Sequence, residues 1–342
     1  MQKRVEWVDI AKGIGIILVI IGHCVMLGGH VHNWIFSFHM PLFFILSGLF
    51  LVKEELGGFI QKKIKTLLIP YITFFAIGLI FTICIPSWHE KLTLKGVIKD
   101  IYFGDPNNVN VSSIWFLVCL FFTMLFLQLI LRFQMIVRLI IISFAFVCGL
   151  FFAKYAAHIP FALQGRLPLN LDVTFISLVF LSTGYFGKNT LFNMAEWIHK
   201  QTKKMNFLYS IILFGVSVLL SILNHRVNLH GLLFNNPVLY LLESIVGSIF
   251  VIYVSCFISK VGLFKRSLKW IGTQSLKILG VQAICIRLYI TLVNFVEKKQ
   301  YSLYFLPPMH AFFSLIFVLA MSVGCVWVLV QISGRVSGRA GK

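Results

Sequence analysis

The feature that most limits what this chain can fold into is a series of long apolar runs, each near the roughly 20 residues that carry a helix across a bilayer. Ten runs are predicted as spans, at about 10–28, 35–52, 66–85, 113–131, 139–157, 172–188, 207–223, 238–258, 270–293 and 309–331. Inside lipid every backbone polar group needs an internal partner, which leaves helices or closed barrels. The runs lack the short alternating pattern of barrel strands. The expected fold is therefore all-α, a polytopic membrane helical bundle of about ten transmembrane helices. Between the runs the chain reads as polar loops, the longest from Pro86 to Ser112. With no repeat, low-complexity tract or soluble domain in between, residues 1–342 are expected to form a single integral membrane domain. The first run carries Asp9 and Lys12 at its start and has no small-residue cleavage site, so it is expected to be a span and not a removed signal.

Composition narrows the class further. Charged residues make up 12% of the chain, against about 25% in soluble domains, and mean hydropathy is +0.91. Disordered chains, small disulfide scaffolds and ordinary soluble enzymes are excluded. The net charge of +19 does not point to nucleic acid, because the basic residues flank apolar spans instead of forming one face. Membrane lipid is the expected surrounding. With the N-terminus inside, nineteen Lys and Arg fall in cytoplasmic segments and eight on the opposite side. That bias predicts both termini cytoplasmic, an even number of spans and a multi-pass protein of the inner (plasma) membrane. All seven cysteines sit in or at the edge of apolar runs and read as small hydrophobes, and no metal site is expected.

Ionisable groups within spans are costly and mark candidate functional positions. Lys12 and His23 are 11 residues apart, about 20° past three turns, so they share a helix face about 16 Å apart along the axis. Asp9 lies three residues before Lys12, within pairing reach. His23 reads either as a general base or as a histidine bonding a neighbouring helix, and Lys12 with Asp9 either as a functional pair or as interfacial side chains. Glu243 and Arg287 fall at similar depth on separate spans and are expected to pair, for structure or for function. Lys277, about seven residues into its run, is expected near Lys12. The 53–65 loop carries Lys62, Lys63 and Lys65, which serve as a topology signal or as phosphate donors for a polyanionic ligand.

Several segments together resemble one family. Val8-Asp9-Ile10-Ala11-Lys12-Gly13 running to Gly22-His23 looks like a signature of a basic residue, ten residues and a histidine. Phe38-His39-Met40-Pro41-Leu42-Phe43-Phe44-Ile45-Leu46-Ser47-Gly48 resembles a second-span signature. Lys62-Lys63-Ile64-Lys65 before Leu68-Ile69-Pro70-Tyr71 is similar to a basic entry to the third span, Ile114-Trp115-Phe116-Leu117 to the start of the fourth, and Ile271-Gly272-Thr273-Gln274-Ser275-Leu276 to a late one. In combination these resemble the acyltransferase-3 family of integral membrane acyltransferases, especially its fucose-4-O-acetylase-like branch. There are two departures. Lys12 stands where Arg is frequent and lacks its bidentate fork, and Gln282 stands where many relatives have a histidine, so no catalytic role is carried to it.

The resemblance implies transfer of an acetyl or other acyl group from acetyl-CoA to a hydroxyl of a cell-surface carbohydrate or its lipid-linked precursor. It implies acetyl-CoA as substrate with no bound cofactor, and surface-polysaccharide synthesis machinery as a partner. Under it, His23 takes the hydroxyl proton or carries the acyl group, and Asp9 fixes Lys12. Lys12, Lys62, Lys63 and Lys65 hold CoA phosphates, and Ser47 polarises the thioester. Trp115 lines the pocket and His39 contacts the acceptor, while Glu243 or Arg287 orients the imidazole or binds the acceptor. Two other readings stand beside this one: a transporter or flippase for a glycan or lipid-linked intermediate, gated by Glu243 and Arg287, and a structural subunit of a polymer-synthesis complex.

Overall fold

Among the residues that the computed structural model describes (4–24, 29–90, 92–155, 165–262, 264–301 and 306–339), nine helices are long and apolar enough to cross a membrane. α1 is Glu6–Cys24 and α2 is His30–Gly48. α3 (Leu56–Lys63) runs through a π turn, Ile64–Leu68, into α4 (Ile69–Cys84). After them come α5 (Leu94–Phe103), α6 (Trp115–Ile130), α7 (Met135–Tyr155) and α8 (Leu171–Phe186). The rest are α9 (Lys188–Lys200), α10 (Lys203–Asn224), α11 (Pro237–Val261), α12 (Lys265–Thr273), α13 (Ser275–Glu297) and α14 (Pro308–Arg339). The protein is an all-α polytopic helical bundle.

Of the ten expected spans, α2 alone falls outside the nine. It begins five residues before the expected start and takes in His30, His32 and Asn33, which lowers its apolar character. Its position explains why that is tolerated. Ile35, Phe38, Leu42, Phe44 and Leu46 are fully buried, and α2 packs against α1, α8, α10 and α11. A helix wrapped by other helices meets little lipid and can carry polar residues that face a cavity. By contrast, α7, α10 and α14 present most of their surface outward.

Three loop expectations are corrected. The basic segment before the third span is the helix α3, and the span formed by Leu56–Cys84 starts about ten residues early. Pro70 explains the π turn. Lacking an N–H and clashing with the preceding turn, it opens the ladder, and Ile69 N–H bonds Ile64 O. The segment after the sixth span is the amphipathic helix α9. The ninth run breaks at Gln274 into α12 and α13, which makes Lys277 the third residue of α13, exposed at that helix's start.

α12 matters because it fixes α1. Gly272 and Gly13 bring the two backbones into contact, with a Cβ at Gly272 falling 1.7 Å from Asp9 O and one at Gly13 falling 2.2 Å from Leu268 O. Glu6 adds ion pairs to Lys265 at 2.7 Å and Lys269 at 3.2 Å. At the other end, α5 starts on the Thr93 cap, whose Oγ1 accepts from Gly96 N–H, and it stops at Gly104 in the left-handed conformation. Asp100 then collects the N–H groups of Asn108 and Val109 and the Asn108 amide. Asn110 Nδ2 donates to Thr82 Oγ1. These bonds fold residues 105–110 under the bundle's end.

Candidate active site

A cavity of about 220 Å³ lies at the end of the bundle where α1 finishes and α2 begins. That is below the roughly 300–1,000 Å³ of sites for drug-sized ligands, so it suits one small unit of a polar ligand. Its wall combines the last turn of α1, the first half of α2, the folded loop before α6, the 228–230 segment and one face of α13.

Four histidines face this space: His23, His32, His39 and His230. Three surround the ring of Phe36, with His32 stacked at 3.9 Å, His39 tilted at 4.8 Å and His23 edge-on at 5.6 Å between centroids. The backbone dictates the α2 pair. His32 and His39 are seven residues apart, close to two full turns, so they share one face with Phe36 between them.

The hydrogen bonds fix one tautomer. His39 Nδ1 lies 2.8 Å from Ile35 O. A carbonyl only accepts, so Nδ1 carries the proton and Nε2 of the neutral ring keeps a lone pair. His32 Nδ1 lies 3.4 Å from Asn33 Oδ1, while its buried Nε2 has no partner among the described residues. Opposite them, His230 stacks on Trp115 with centroids 4.5 Å apart. His230 Nε2 sits 3.2 Å from Asp105 Oδ2. Burial pushes the Asp105 carboxyl up, but His230, Arg166 and Asn107 outweigh it and hold the group below its ordinary range.

The structure brings His23, His39, Trp115 and Arg287 to this one cavity. It places the others elsewhere. Asp9, buried with Oδ2 unpartnered, turns its backbone toward α12 and makes no ion pair with Lys12 among the described residues. Lys12 Nζ lies 5.9 Å from the Phe50 ring centroid instead. Residues 9 and 12 are about 60° apart around the helix, and it is the backbone of the first that meets α12. Lys62 pairs with Glu54 at 3.1 Å, Lys63 lies over Phe59, and Lys65 is exposed. Ser47 is half-buried near the far end of α2, outside the cavity. The expected Glu243–Arg287 pair gives way to a different one. Fully buried Glu243 accepts a 2.7 Å hydrogen bond from Asn224 Nδ2 through Oε1, and its other oxygen has no partner among the described residues. Glu243 does not line the cavity.

The sequence reading missed His32, His230 and the amide-rich loop. His32 was legible, because the two-turn spacing to His39 is the same kind of signal that singled out Lys12 and His23. His230 had no such signal, since only the fold of residues 225–236 sets it on Trp115. Among the described residues no group of three or more His, Cys, Asp or Glu side chains is placed to hold a metal ion.

A family model described as an acyltransferase domain matches residues 5–329, nearly the whole chain. No curated protein and no solved structure matches the chain.

Proposed function

The chain belongs to the acyltransferase-3 family and is a multi-pass membrane acyltransferase, and from that premise we propose that it carries an acetyl group from acetyl-CoA to a hydroxyl of a cell-surface carbohydrate or its lipid-linked precursor. The observation that carries this reading is the small cavity in which His23 and His39 face buried amides and Trp115. Carbohydrate needs such a lining: hydrogen-bonding groups for several hydroxyls, an aromatic surface for a ring face, and an imidazole.

In this reading His23 takes the proton as the acceptor oxygen attacks the thioester carbon. The new C–O bond forms, the C–S bond breaks, and the proton passes from His23 to the departing thiolate. Histidine suits the step because one ring nitrogen can take the proton and then return it. His39 Nε2, held as an acceptor by the bond of Nδ1 to Ile35, receives a second acceptor hydroxyl. Arg287 lies in the same wall to orient the acceptor.

The donor enters from the opposite end in this proposal, with Lys12, Lys62, Lys63 and Lys65 on the CoA phosphates and Ser47 near the pantetheine arm. The cavity stops at Val19, seven residues short of Lys12, or about 10 Å along the axis. Leu42 and Phe43 close on Gly15 between the two, so these side chains move when the arm passes. Asp9 keeps a charge-balancing place at that end. The inner (plasma) membrane, where acetyl-CoA is met on the cytoplasmic face, and association with surface-polysaccharide synthesis machinery follow from the same reading.

The test is purified protein with radiolabelled acetyl-CoA and a panel of methyl hexosides, scored for labelled sugar ester. Transfer supports the proposal, and movement of sugar across a vesicle membrane without label transfer overturns it in favour of transport. Replacing Lys62, Lys63 and Lys65 together with Gln is expected to raise the KM for acetyl-CoA at least about tenfold, each lost phosphate contact being worth about 1–2 kcal/mol before screening. The KM for the acceptor should not move. Equal rises in both constants would remove these lysines from the donor site.

A further inference from the structure

Gln282 stands out in the cavity wall. It is fully buried, yet neither Nε2 nor Oε1 has a hydrogen-bond partner among the described residues. A buried amide left unpaired destabilises a fold, so each instance requires a reason. Rotation of α13 cannot supply one. Ser113 Oγ donates to Leu279 O at 3.0 Å, which ties the turn before α6 to this helix. Gly280 lies against the Phe74 ring, where a Cβ would fall 2.4 Å from it. Two residues on, about 200° around the axis, Gln282 is turned into the cavity. A second unmet group lines the same space, the buried Nε2 of His32.

We infer that Gln282 is an acceptor-binding residue whose amide reads two neighbouring hydroxyls of a polyol in this cavity. A glutamine amide offers donors at Nε2 and acceptor sites at Oε1. One hydroxyl of a vicinal diol donates to Oε1 while its neighbour accepts from Nε2, and the pair closes a ring of complementary bonds that a single alcohol does not make. The ligand class is therefore a sugar with adjacent free hydroxyls. The inference rests on the acyl-transfer reading for the identity of the ligand as acceptor, but the diol recognition itself stands on the unpaired amide.

The experiment uses the full-length protein in detergent, as wild type, Gln282→Leu and Gln282→Met. Thermal unfolding is followed by tryptophan fluorescence with and without methyl hexosides and their deoxy analogues, beside acetyl transfer to the same sugars. Both variants are expected to unfold at or above the wild-type temperature, because an unmet amide has been replaced by apolar atoms. Methyl hexosides with a vicinal diol should raise the wild-type unfolding temperature, and this shift should vanish in the variants. Acceptor KM should rise about 10- to 100-fold, the size of one to two lost buried bonds, with acetyl-CoA KM unchanged. If both variants fail to fold or melt several degrees lower, the amide is structural and the inference is overturned. An unchanged acceptor KM overturns it while leaving acyl transfer intact. A wild type that is stabilised by diols but transfers no acetyl group sinks the acyl-transfer proposal and keeps the diol site. Neither stabilisation nor transfer sinks both.

Discussion

His23→Ala is expected to lower acetyl transfer by about 10²- to 10⁴-fold, the usual contribution of a positioned general acid–base, while the protein still inserts and unfolds near the wild-type temperature. The fold loses little because His23 is partly open to the cavity and its described ring contact is the edge of Phe36 at 5.6 Å. An aromatic pair of that kind is worth about 0.5–1.5 kcal/mol. The measurement is initial rate of labelled ester formation at saturating acetyl-CoA, with the unfolding temperature taken on the same preparation. His39→Ala is the informative companion, since its Nε2 is fixed as an acceptor through Ile35. If His23→Ala keeps the wild-type rate and His39→Ala loses it, the proton is taken by the second ring and His23 leaves the mechanism. A His23→Ala variant that loses rate only because its unfolding temperature has collapsed would also count against a chemical role.

Much of the fold was legible because lipid imposes a length and a composition on each span. The runs at 113–131 and 238–258 match Ser112–Ile130 and Pro237–Val261 within a few residues. Apolar content cannot show where a helix bends or which neighbour it meets. The break at Gln274 lies inside one continuous run, two residues after the point where Gly272 lies on the α1 backbone at Asp9. Spacing alone put Asp9 and Lys12 within reach, yet no ion pair joins them among the described residues, and Lys12 lies over the Phe50 ring instead. The site divides in the same way. His23 and His39 were readable from helical spacing and motif resemblance, and both reach the cavity. His230, Asp105 and Asn110 come from loops whose course is set by bonds such as Asn110 to Thr82 and Asp100 to Asn108. Those bonds join residues 28 and 8 positions apart and leave no periodic trace. Glu243 shows the limit of depth arguments: a buried carboxylate at the expected level takes one hydrogen bond from the Asn224 amide at the end of the preceding helix, a neutral partner that a search for opposite charge overlooks.

The crossing of α1 and α12 is also where the largest structural effect is expected. A Cβ at Gly272 would stand 1.7 Å from Asp9 O, 2.7 Å from Asp9 C and 2.8 Å from Gly13 N. All three are backbone atoms of a helix packed on both sides, so no side chain can swing away to make room. Overpacking of a core costs about 1–3 kcal/mol when side chains can adjust, and a backbone clash lies at or beyond the top of that range. Gly272→Ala is therefore expected to lower the unfolding temperature in detergent by several degrees and to reduce the amount of inserted protein, with Gly272→Val worse than Ala. The ion pairs of Glu6 with Lys265 and Lys269 will not compensate, because partly exposed pairs of this kind contribute about 0–1 kcal/mol. Gly215→Ala in α10 is the matched control. Nothing lies within 4 Å of its added Cβ, and removing a glycine from a helix interior should gain about 0.5–1 kcal/mol. Equal unfolding temperatures for Gly272→Ala and wild type would show that the two backbones are not in contact. A clear loss would mean that α12 sets the position of α1, and with it the height of the His23 imidazole in the cavity wall.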